Sequence, residues 1–586
     1  MVEISKYLKF RNIQITILFV LVISVYANSL TGDFLYLDDY GGFVNNSAIQ
    51  SLSTAFKSFN INTVIYALSY KLFGLNPIPL HIMSLILHLS NVLLGYTFLS
   101  KYFKNEVSFF STALFAVHPV NTEVVAWISG RQYLYVLLFL FPILLLLDKF
   151  QQSKNTKYYW FSVIFYILVV FLYRNPRVGL IPPAVVLINY GIMYKKYKPL
   201  ALLKFVPYFI GGLFLCLLVY SPIKNRLAEN GPNSLVGSNY VGTYLNEESY
   251  IPIVESYPYT FYSMLQYYIF PVEQTVYHDG GLINRFEYIF MFLLFIAFIQ
   301  LLLYLFFKND KRAYVLLLML VFLAPSLSPV KLIWYFSERY LYLGGLFFFS
   351  LVVSFLFKFV EKRNLTRPLY MFLLFVLVLL SLMTIKRNTA WASDYSLALA
   401  TIEVIPNSPK GYNDLGNDIY RRTGDYKEAL NHYKSALKAH SDNHVALNNS
   451  GYILLNEGIP AIEYLEYISS KNPNYFELGV TSFENKSNTK AIYYLSLAST
   501  STLEEEKLRL NIIAELLASS FKYSDALVYI EHAYTIDSSF QRTLLNLFII
   551  NFQLKNTAES QKVLDEYVAL FGEDFYYYEM LSLLKE

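Results

Sequence analysis

The sequence predicts an all-α protein in two parts, a bundle of membrane-spanning helices followed by a solenoid of helical repeats. The prediction rests on the apolar content, the distribution of charge and a repeated motif near the C-terminus. Of the 586 residues, 55% are apolar and only 15% are charged, whereas an ordinary soluble domain carries about 25% charged residues. A protein that is soluble throughout is therefore not expected.

Charge divides the chain into the same two parts. The residues up to Ile385 include 29 basic and 17 acidic side chains, a net charge of +12, and the remaining 201 residues include 18 basic and 26 acidic ones, a net charge of −8. We therefore predict a membrane domain at 1–385 and a soluble domain at 386–586. The basic residues do not cluster as a nucleic-acid-binding surface requires, so nucleic acid is not an expected partner.

About eleven apolar stretches of the first domain are predicted to cross the roughly 30 Å of membrane hydrocarbon. They lie at 13–30, 79–100, 106–118, 130–148, 158–173, 178–194, 204–220, 286–307, 313–328, 340–359 and 368–385. Basic residues concentrate in alternate loops, which places the N-terminus in the cytoplasm by the positive-inside rule. The odd number of spans then puts 386–586 on the extracytoplasmic or luminal side. Lys386 and Arg387, just beyond the last span, are the one clear exception to the rule.

The soluble domain follows a tetratricopeptide pattern of short amphipathic helices. Such repeats are about 34 residues long, and the interval from Gly424 to Gly458 is 34 residues. Four to five units are predicted, of which the first matches best. An array of this kind binds an extended peptide or a partner helix on its concave face. The alternative is a purely structural role in packing or oligomerisation.

The first outer loop contains two adjacent carboxylates, Asp38 and Asp39, just past the first span. Charges next to lipid are costly and mark functional sites, although a solvated loop with a helix-capping acid would give the same pattern. Neighbouring residues of a helix or strand cannot point in the same direction. We therefore expect one carboxylate to face a reacting group, while the other orients its neighbour or binds a cation.

A second outer element contains His118, Glu123, Trp127 and Arg131 at one membrane edge. The planar guanidinium of an arginine can pair with two phosphate oxygens at once, so Arg131 suits a phosphate ligand. In the alternative, Trp127 is an interfacial belt residue and Arg131 only extends towards the membrane surface.

Three arginines at other outer positions are further candidates. Arg339 follows Glu338 at the start of a later span, where the two form either a local ion pair or a phosphate site. Arg174 lies with Arg177 in a tight outer turn, where either arginine could contact a phosphate.

No nucleotide-binding loop or hydrolase motif occurs in a convincing context, so an ATP-driven pump is not supported. His81 and His88 lie on one helix face near Asn91. A metal site would need more ligands than these, and we interpret the three as buried hydrogen-bonding residues.

An ordered set of motifs runs along the chain from about Asp33 to about Gly458. It consists of Asp38-Asp39, Phe73-Gly74-Leu75-Asn76-Pro77, His81 with His88, His118-Pro119 with Glu123, Trp127-Ile128-Ser129-Gly130-Arg131, Ala324-Pro325-Ser326, Glu338-Arg339-Tyr340-Leu341-Tyr342, and Arg387-Asn388 with Trp391 before the repeats. In this set the chain resembles the transmembrane and tetratricopeptide-repeat-containing protein O-mannosyltransferases and their bacterial and archaeal relatives, and the resemblance covers most of the chain.

The resemblance implies a GT-C membrane fold with its active site on the luminal or periplasmic side. It also implies a polyprenyl-phosphate-linked sugar as donor and the hydroxyl of a protein Ser or Thr as acceptor. Asp38 matches the first acid of the loop pair and is the expected base. Asp39 would support it, and if a divalent cation takes part, Asp38 or Asp39 is the expected ligand.

The remaining site residues take their roles from the same resemblance. Arg131 and Arg339 match family arginines and are the expected phosphate contacts, with Arg174 as a possible substitute cation. His118, Glu123 and Glu338 are expected to shape the site.

These expectations together predict a membrane glycosyltransferase that transfers a sugar, mannose in the family, from a polyprenyl-phosphate donor to protein. The alternatives are transfer to a lipid-linked or surface glycan, and a non-catalytic scaffold that binds partners through the repeats. Expected partners are membrane lipid, the donor, the acceptor and a protein on the repeats. The expected location is the plasma membrane of a prokaryote or the endoplasmic reticulum of a eukaryote.

Overall fold

The computed structural model is helical, and no strand occurs in the residues it describes. It describes residues 2–57, 61–172, 206–211, 213–214, 253–276, 285–323, 337–361, 363–439, 443, 445–446, 449–450, 453, 475–484, 486–498, 500 and 502–585. The chain forms two compact units, Met1–Pro406 and Asn407–Glu586. The first unit therefore extends past residue 385, where the change in charge and hydropathy suggested the boundary.

The first unit is built from long apolar helices joined by short polar segments. Its α-helices within the described ranges are α1 (Val2–Tyr26), α2 (Leu52–Lys57), α3 (Ile61–Phe73), α4 (Ile78–Leu99), α5 (Asn105–Val117), α6 (Thr122–Ala126), α7 (Gln132–Ser153), α8 (Thr156–Leu172), α9 (Ile253–Ile269), α10 (Arg285–Phe307), α11 (Lys311–Leu323), α12 (Glu338–Glu361), α13 (Thr366–Ala390) and α14 (Asp394–Val404).

Six helical segments in the described part of the chain are long and apolar enough to cross a membrane. They are Arg11–Thr31, Ile78–Leu99, Ser129–Ser153, Arg285–Phe307, Glu338–Glu361 and Thr366–Ala390. Each coincides with a predicted span. The predicted span 106–118 corresponds to α5, whose 13 residues reach only about 20 Å. The predicted span 178–194 lies outside the described residues, as does most of 204–220, and the total of eleven stays a prediction.

The two ends of this bundle carry different side chains. The polar end consists of the loop 32–46, the turn 118–131 and the adjoining ends of α12 and α13. At the opposite end, here called the lysine end, Lys101 pairs with Asp148 and Lys104 pairs with Glu361. Helix α4 runs from one end to the other, and its 22 residues place the two ends roughly 33 Å apart.

A buried hydrogen-bond network joins the helices beneath the polar end. His88 Nδ1 lies 3.0 Å from the Tyr342 hydroxyl and Nε2 lies 3.1 Å from the Ala116 carbonyl oxygen. The Asn91 amide donates to the Tyr342 hydroxyl at 3.0 Å and to the Leu134 carbonyl oxygen at 2.9 Å. The interpretation of His88 and Asn91 as buried hydrogen-bonding residues is therefore confirmed. The network ties α4 to α5, α7 and α12.

The second unit consists of shorter amphipathic helices. Those that the structure describes are α15 (Pro409–Thr423), α16 (Tyr426–Ala439), α17 (Tyr475–Glu484), α18 (Asn488–Leu497), α19 (Leu503–Ser519), α20 (Tyr523–Ile536), α21 (Gln541–Gln553), α22 (Thr557–Phe571) and α23 (Phe575–Lys585). Consecutive helices pack as the pairs α15 with α16, α17 with α18, α19 with α20, and α21 with α22.

The first of these pairs shows where small residues are needed. A Cβ atom added to Gly416 in α15 would lie 2.6 Å from the Tyr433 ring of α16, closer than any van der Waals contact. Ala429 and Ala436 of α16 are fully buried, and Gly424 makes the turn between the helices with a φ of +70°, which favours glycine. Small residues therefore lie where the two helices touch.

Candidate active site

The loop that follows α1 separates its two carboxylates. The Asp38 side chain is exposed and makes no hydrogen bond or ion pair with any residue that the structure describes. Asp39 is 1% exposed. Its Oδ1 accepts hydrogen bonds from the N–H and the hydroxyl of Ser129, and its Oδ2 accepts one from the Leu35 N–H at 3.0 Å. As expected for neighbouring residues, only one of the two carboxylates is open to solvent.

The buried position changes the acidity of Asp39. Burial raises its pKa to about 6, although the hydrogen bonds from Ser129 and Leu35 and the positive charge of Arg131 act in the opposite direction. Both oxygens are already occupied by donors. No group of three or more His, Cys, Asp and Glu side chains comes together within the described ranges, and the binding of a cation by Asp38 or Asp39 stays a prediction.

Glu123 and Arg339 form the tightest long-range ion pair of the polar end. Arg339 Nη1 donates to Glu123 Oε1 at 2.6 Å, and the Arg339 main-chain N–H donates to Oε2 at 2.9 Å. The Glu123 side chain is 2% exposed, whereas that of Arg339 is 26% exposed. The carboxylate therefore fixes the first turn of α12 and leaves about a quarter of the Arg339 side chain exposed.

Glu338 pairs with an arginine from a different helix. Arg387, in the last turn of α13, has its Nη2 3.7 Å from Glu338 Oε1, and Gln274 donates to Glu338 Oε2 at 3.0 Å. Arg387 Nη1 also donates to the Gln274 carbonyl oxygen at 2.7 Å. The local ion pair between the adjacent Glu338 and Arg339, one of the two interpretations of this motif, is therefore not formed.

Two tryptophans lie between these ion pairs. Trp127 and Trp391 are stacked with their ring centroids 5.9 Å apart. The Arg339 guanidinium lies 5.8 Å from the Trp127 ring, and that of Arg387 lies 6.0 Å from the Trp391 ring. Within the part of the chain that the structure describes, both indole N–H groups and the Nε and Nη2 of Arg387 lack a hydrogen-bond acceptor. Buried donors normally have one, so this cluster can accept an oxygen-rich ligand.

The Arg131 side chain is buried, and its contact with a phosphate stays a prediction. It is 1% exposed, its guanidinium lies 5.0 Å from the Tyr66 ring, and Nη1 makes a long 3.4 Å hydrogen bond to the Leu80 carbonyl oxygen. Nη2 has no acceptor among the described residues. Arg131 supplies positive charge beneath the first loop, near Asp39, rather than at the accessible surface.

His118 is engaged with the backbone on both ring nitrogens. Nδ1 accepts the Val120 N–H at 3.3 Å, which caps the short helix Pro119–Asn121, and Nε2 lies 3.2 Å from the Tyr268 carbonyl oxygen. This arrangement shapes the turn from inside. Arg174 and Arg177 lie outside the described residues.

The turn 118–131 joins the two halves of the site. Its Glu123 holds Arg339 while its Ser129 holds Asp39. The turn can close only around Gly130, where an added Cβ atom would lie 2.5 Å from the Glu123 carbonyl oxygen. The sequence analysis named Ser129 only as part of a motif and Arg387 only as an exception to the positive-inside rule, and it gave neither residue a role. No sequence pattern pointed to Gln274.

The fold and the site define a polytopic helical membrane protein with an acid, arginine and tryptophan cluster at one end of its bundle. Among known proteins, no family model matches the chain. It is similar to the protein O-mannosyl-transferase TMTC1 of Homo sapiens, with 25% identity over 491 residues, 73% of this chain and 55% of that protein. A protein O-mannosyl-transferase of Caenorhabditis elegans is 25% identical over 464 residues, 72% of this chain and 62% of that protein.

A third relative, the protein O-mannosyl-transferase TMTC3 of Homo sapiens, is 22% identical over 495 residues, which cover 75% of this chain and 52% of that protein. The chain is thus similar to several TMTC protein O-mannosyl-transferases over about three quarters of its length, which confirms the resemblance found in its motifs. It spans between about half and three fifths of the length of these relatives.

Proposed function

We propose that this protein is an integral-membrane glycosyltransferase that moves a sugar, mannose by analogy with the names of its relatives, from a polyprenyl-phosphate donor to a hydroxyl of a protein. The observation that carries the proposal is the separation of Asp38 and Asp39, an exposed carboxylate next to a buried and anchored one. The relatives' names support the reaction class.

In the proposed reaction, the first loop supplies the base and the arginines at the ends of α12 and α13 bind the phosphate. Asp38 takes the proton of the acceptor hydroxyl as its oxygen attacks the anomeric carbon. The bond between that carbon and the phosphate oxygen breaks, and the bonding electrons leave with the polyprenyl phosphate. Arg339, partly accessible beside Glu123, stabilises the negative charge on the phosphate. The unused donors of Arg387 make it a second candidate for this role.

The same proposal covers the surroundings of the site. The positive-inside rule assigns the lysine end to the cytoplasm, so the polar end faces the periplasm or the lumen of the endoplasmic reticulum, in a GT-C type of bundle. The helix pairs of the second unit are tetratricopeptide repeats that bind the acceptor or a partner protein. The small-to-large packing of Gly416 against Tyr433 supports this assignment.

The decisive experiment compares Asp38→Asn with Asp33→Asn, a change of an exposed aspartate in the same loop. The full-length protein in membranes receives a labelled polyprenyl-phosphate mannose and a Ser/Thr-rich peptide. Loss of a general base costs about 10²- to 10⁴-fold in rate, so Asp38→Asn should abolish transfer while Asp33→Asn retains it.

Each other result changes the proposal in a specific way. Equal activity of the two variants would remove Asp38 from the reaction. Label found on a lipid-linked glycan instead of the peptide would replace the acceptor. If the wild-type protein consumes no donor with either acceptor, a scaffold becomes the better description.

A further inference from the structure

The residues that follow the last membrane helix fold back onto the loop that carries Asp38. The Asp33 N–H donates to the Ala392 carbonyl oxygen at 2.9 Å. The Tyr36 N–H donates to Asp394 Oδ1 at 2.8 Å. Two hydrogen bonds thus join segments that are more than 350 residues apart in sequence.

An apolar cluster stabilises the same contact. Leu35 from the first loop packs with Trp391 and Leu397 from the segment around α14, and all three are at most 5% exposed. Trp391 also stacks on Trp127 of the turn that holds Asp39. The contact is therefore a packed core with hydrogen bonds at its edge, and it is part of the first compact unit.

The position of this contact matters because Asp38 has no described partner of its own. Its direction is set by the backbone on either side. On the C-terminal side, the neighbouring Asp39 is fixed by Ser129. On the N-terminal side, the nearest bond to another segment is the one from the Tyr36 N–H to Asp394.

We propose that Asp394 is a positioning residue of the active site, which holds the first loop so that Asp38 faces the acceptor hydroxyl. This inference rests on the proposed function. Asp394 contacts the loop backbone and is not itself a catalytic residue. A general base works only within hydrogen-bond reach of its proton, and a displacement of about 1 Å can cost roughly 10²-fold in rate.

The test compares Asp394→Ala with Asp394→Asn in the full chain. Both variants remove the negative charge from the first turn of α14, so they share any loss of helix stability. Only asparagine keeps an acceptor oxygen for the Tyr36 N–H. We expect Asp394→Ala to lower kcat by about 10- to 100-fold with KM for the donor changed less than about 3-fold, and Asp394→Asn to stay within about 3-fold of wild type.

A cross-link between the two segments shows whether Asp394→Ala loses activity because the first loop is displaced or because the protein no longer folds. Cysteines are introduced as Asp33→Cys and Ala392→Cys, and the single native cysteine is replaced (Cys216→Ser). A short bis-maleimide then adds to both thiols and closes the contact in the Asp394→Ala background. Closure should restore kcat. An inactive cross-linked protein would overturn the inference.

The remaining outcomes are equally specific. Wild-type kcat for Asp394→Ala, or equal losses for the alanine and asparagine variants, would also overturn it. Failure of the proposed function is recognised separately, since an active Asp38→Asn variant contradicts that proposal whatever Asp394 does.

Discussion

The two ends of the helical bundle use charge in opposite ways. At the polar end, the Glu123 and Glu338 side chains are at most 2% exposed, and their arginine partners come from other segments. At the lysine end, Lys104 and Glu361 pair with 69% and 46% of their side chains exposed. Surface pairs add little stability, whereas burying charge is costly and is retained where it has a task.

The two ends also differ in whether their buried hydrogen-bond donors have acceptors. Helix α11 begins at the lysine end, where its Tyr314 ring lies 5.7 Å from the Tyr102 ring. The buried Arg312 of its first turn is bound by Asp310, only two residues away. At the polar end, Arg387 and the indoles of Trp127 and Trp391 keep donors without acceptors in the described part of the structure. Among the described residues, donors without acceptors therefore lie beside the arginines and tryptophans of the polar end, whereas Arg312 is bound by a carboxylate.

The largest effect should come from breaking the buried pair of the polar end. Glu123→Ala leaves the mostly buried Arg339 without its carboxylate, and removing one partner of such a pair costs about 3–5 kcal/mol. Denaturation in detergent should show this loss, and transfer should disappear with it.

The matched change at the lysine end is Asp148→Ala, which breaks the partly exposed pair with Lys101. It should cost less than about 1 kcal/mol and leave transfer intact. Similar losses of stability for the two variants would contradict the contrast between the ends.

An effect of intermediate size is expected on the stability of the folded protein, and it should depend on pH. The pKa of Asp39 is about 6 in the folded protein against 3.8 for the ordinary carboxyl, so protonation favours the folded state. The contribution of Asp39 to the free energy of unfolding is fully present below about pH 4 and is lost as the pH rises through about 6. The loss is on the order of 3 kcal/mol. Asp39→Asn does not titrate and should be less stable throughout, because its amide N–H₂ would face a backbone N–H donor.

The Tm difference between wild type and Asp39→Asn should therefore narrow as pH rises from 4 to 7. Asp33→Asn controls for exposed carboxylates of the same loop. A difference that stays constant would mean that Asp39 remains ionised in the folded protein over this range.

The smallest effect is expected for Lys104→Ala. The Lys104 side chain is exposed at the lysine end, so its Tm and its transfer rate should match those of wild type. A clear loss of activity would show that the lysine end contributes to the reaction and would remove the contrast drawn above.

The sequence predicted candidate site residues, but it did not predict which of them contact each other. It identified the Asp38–Asp39 pair, and it identified Glu123 and Arg339 separately. It did not reveal that Glu123 and Arg339 bind each other, because their separation of 216 residues carries no periodic signal. It also left Arg387 as a charge exception, since its partner depends on which helix ends meet.

The helical fold, the six long apolar segments and the charge division are properties that the sequence determined by itself. Each follows from local composition and spacing, because a helix needs only its own backbone hydrogen bonds and an apolar surface. The same holds for the small residues between paired helices of the second unit.

Only the tertiary structure decided which charges are buried and which partner each one takes. Successive residues on a helix point about 100° apart, so Glu338 and Arg339 turn to different neighbours, Arg387 and Glu123. Asp38 and Asp39 diverge in the same way, one towards solvent and one towards Ser129. These choices depend on contacts between segments far apart in the chain, and the proposed reaction rests on them.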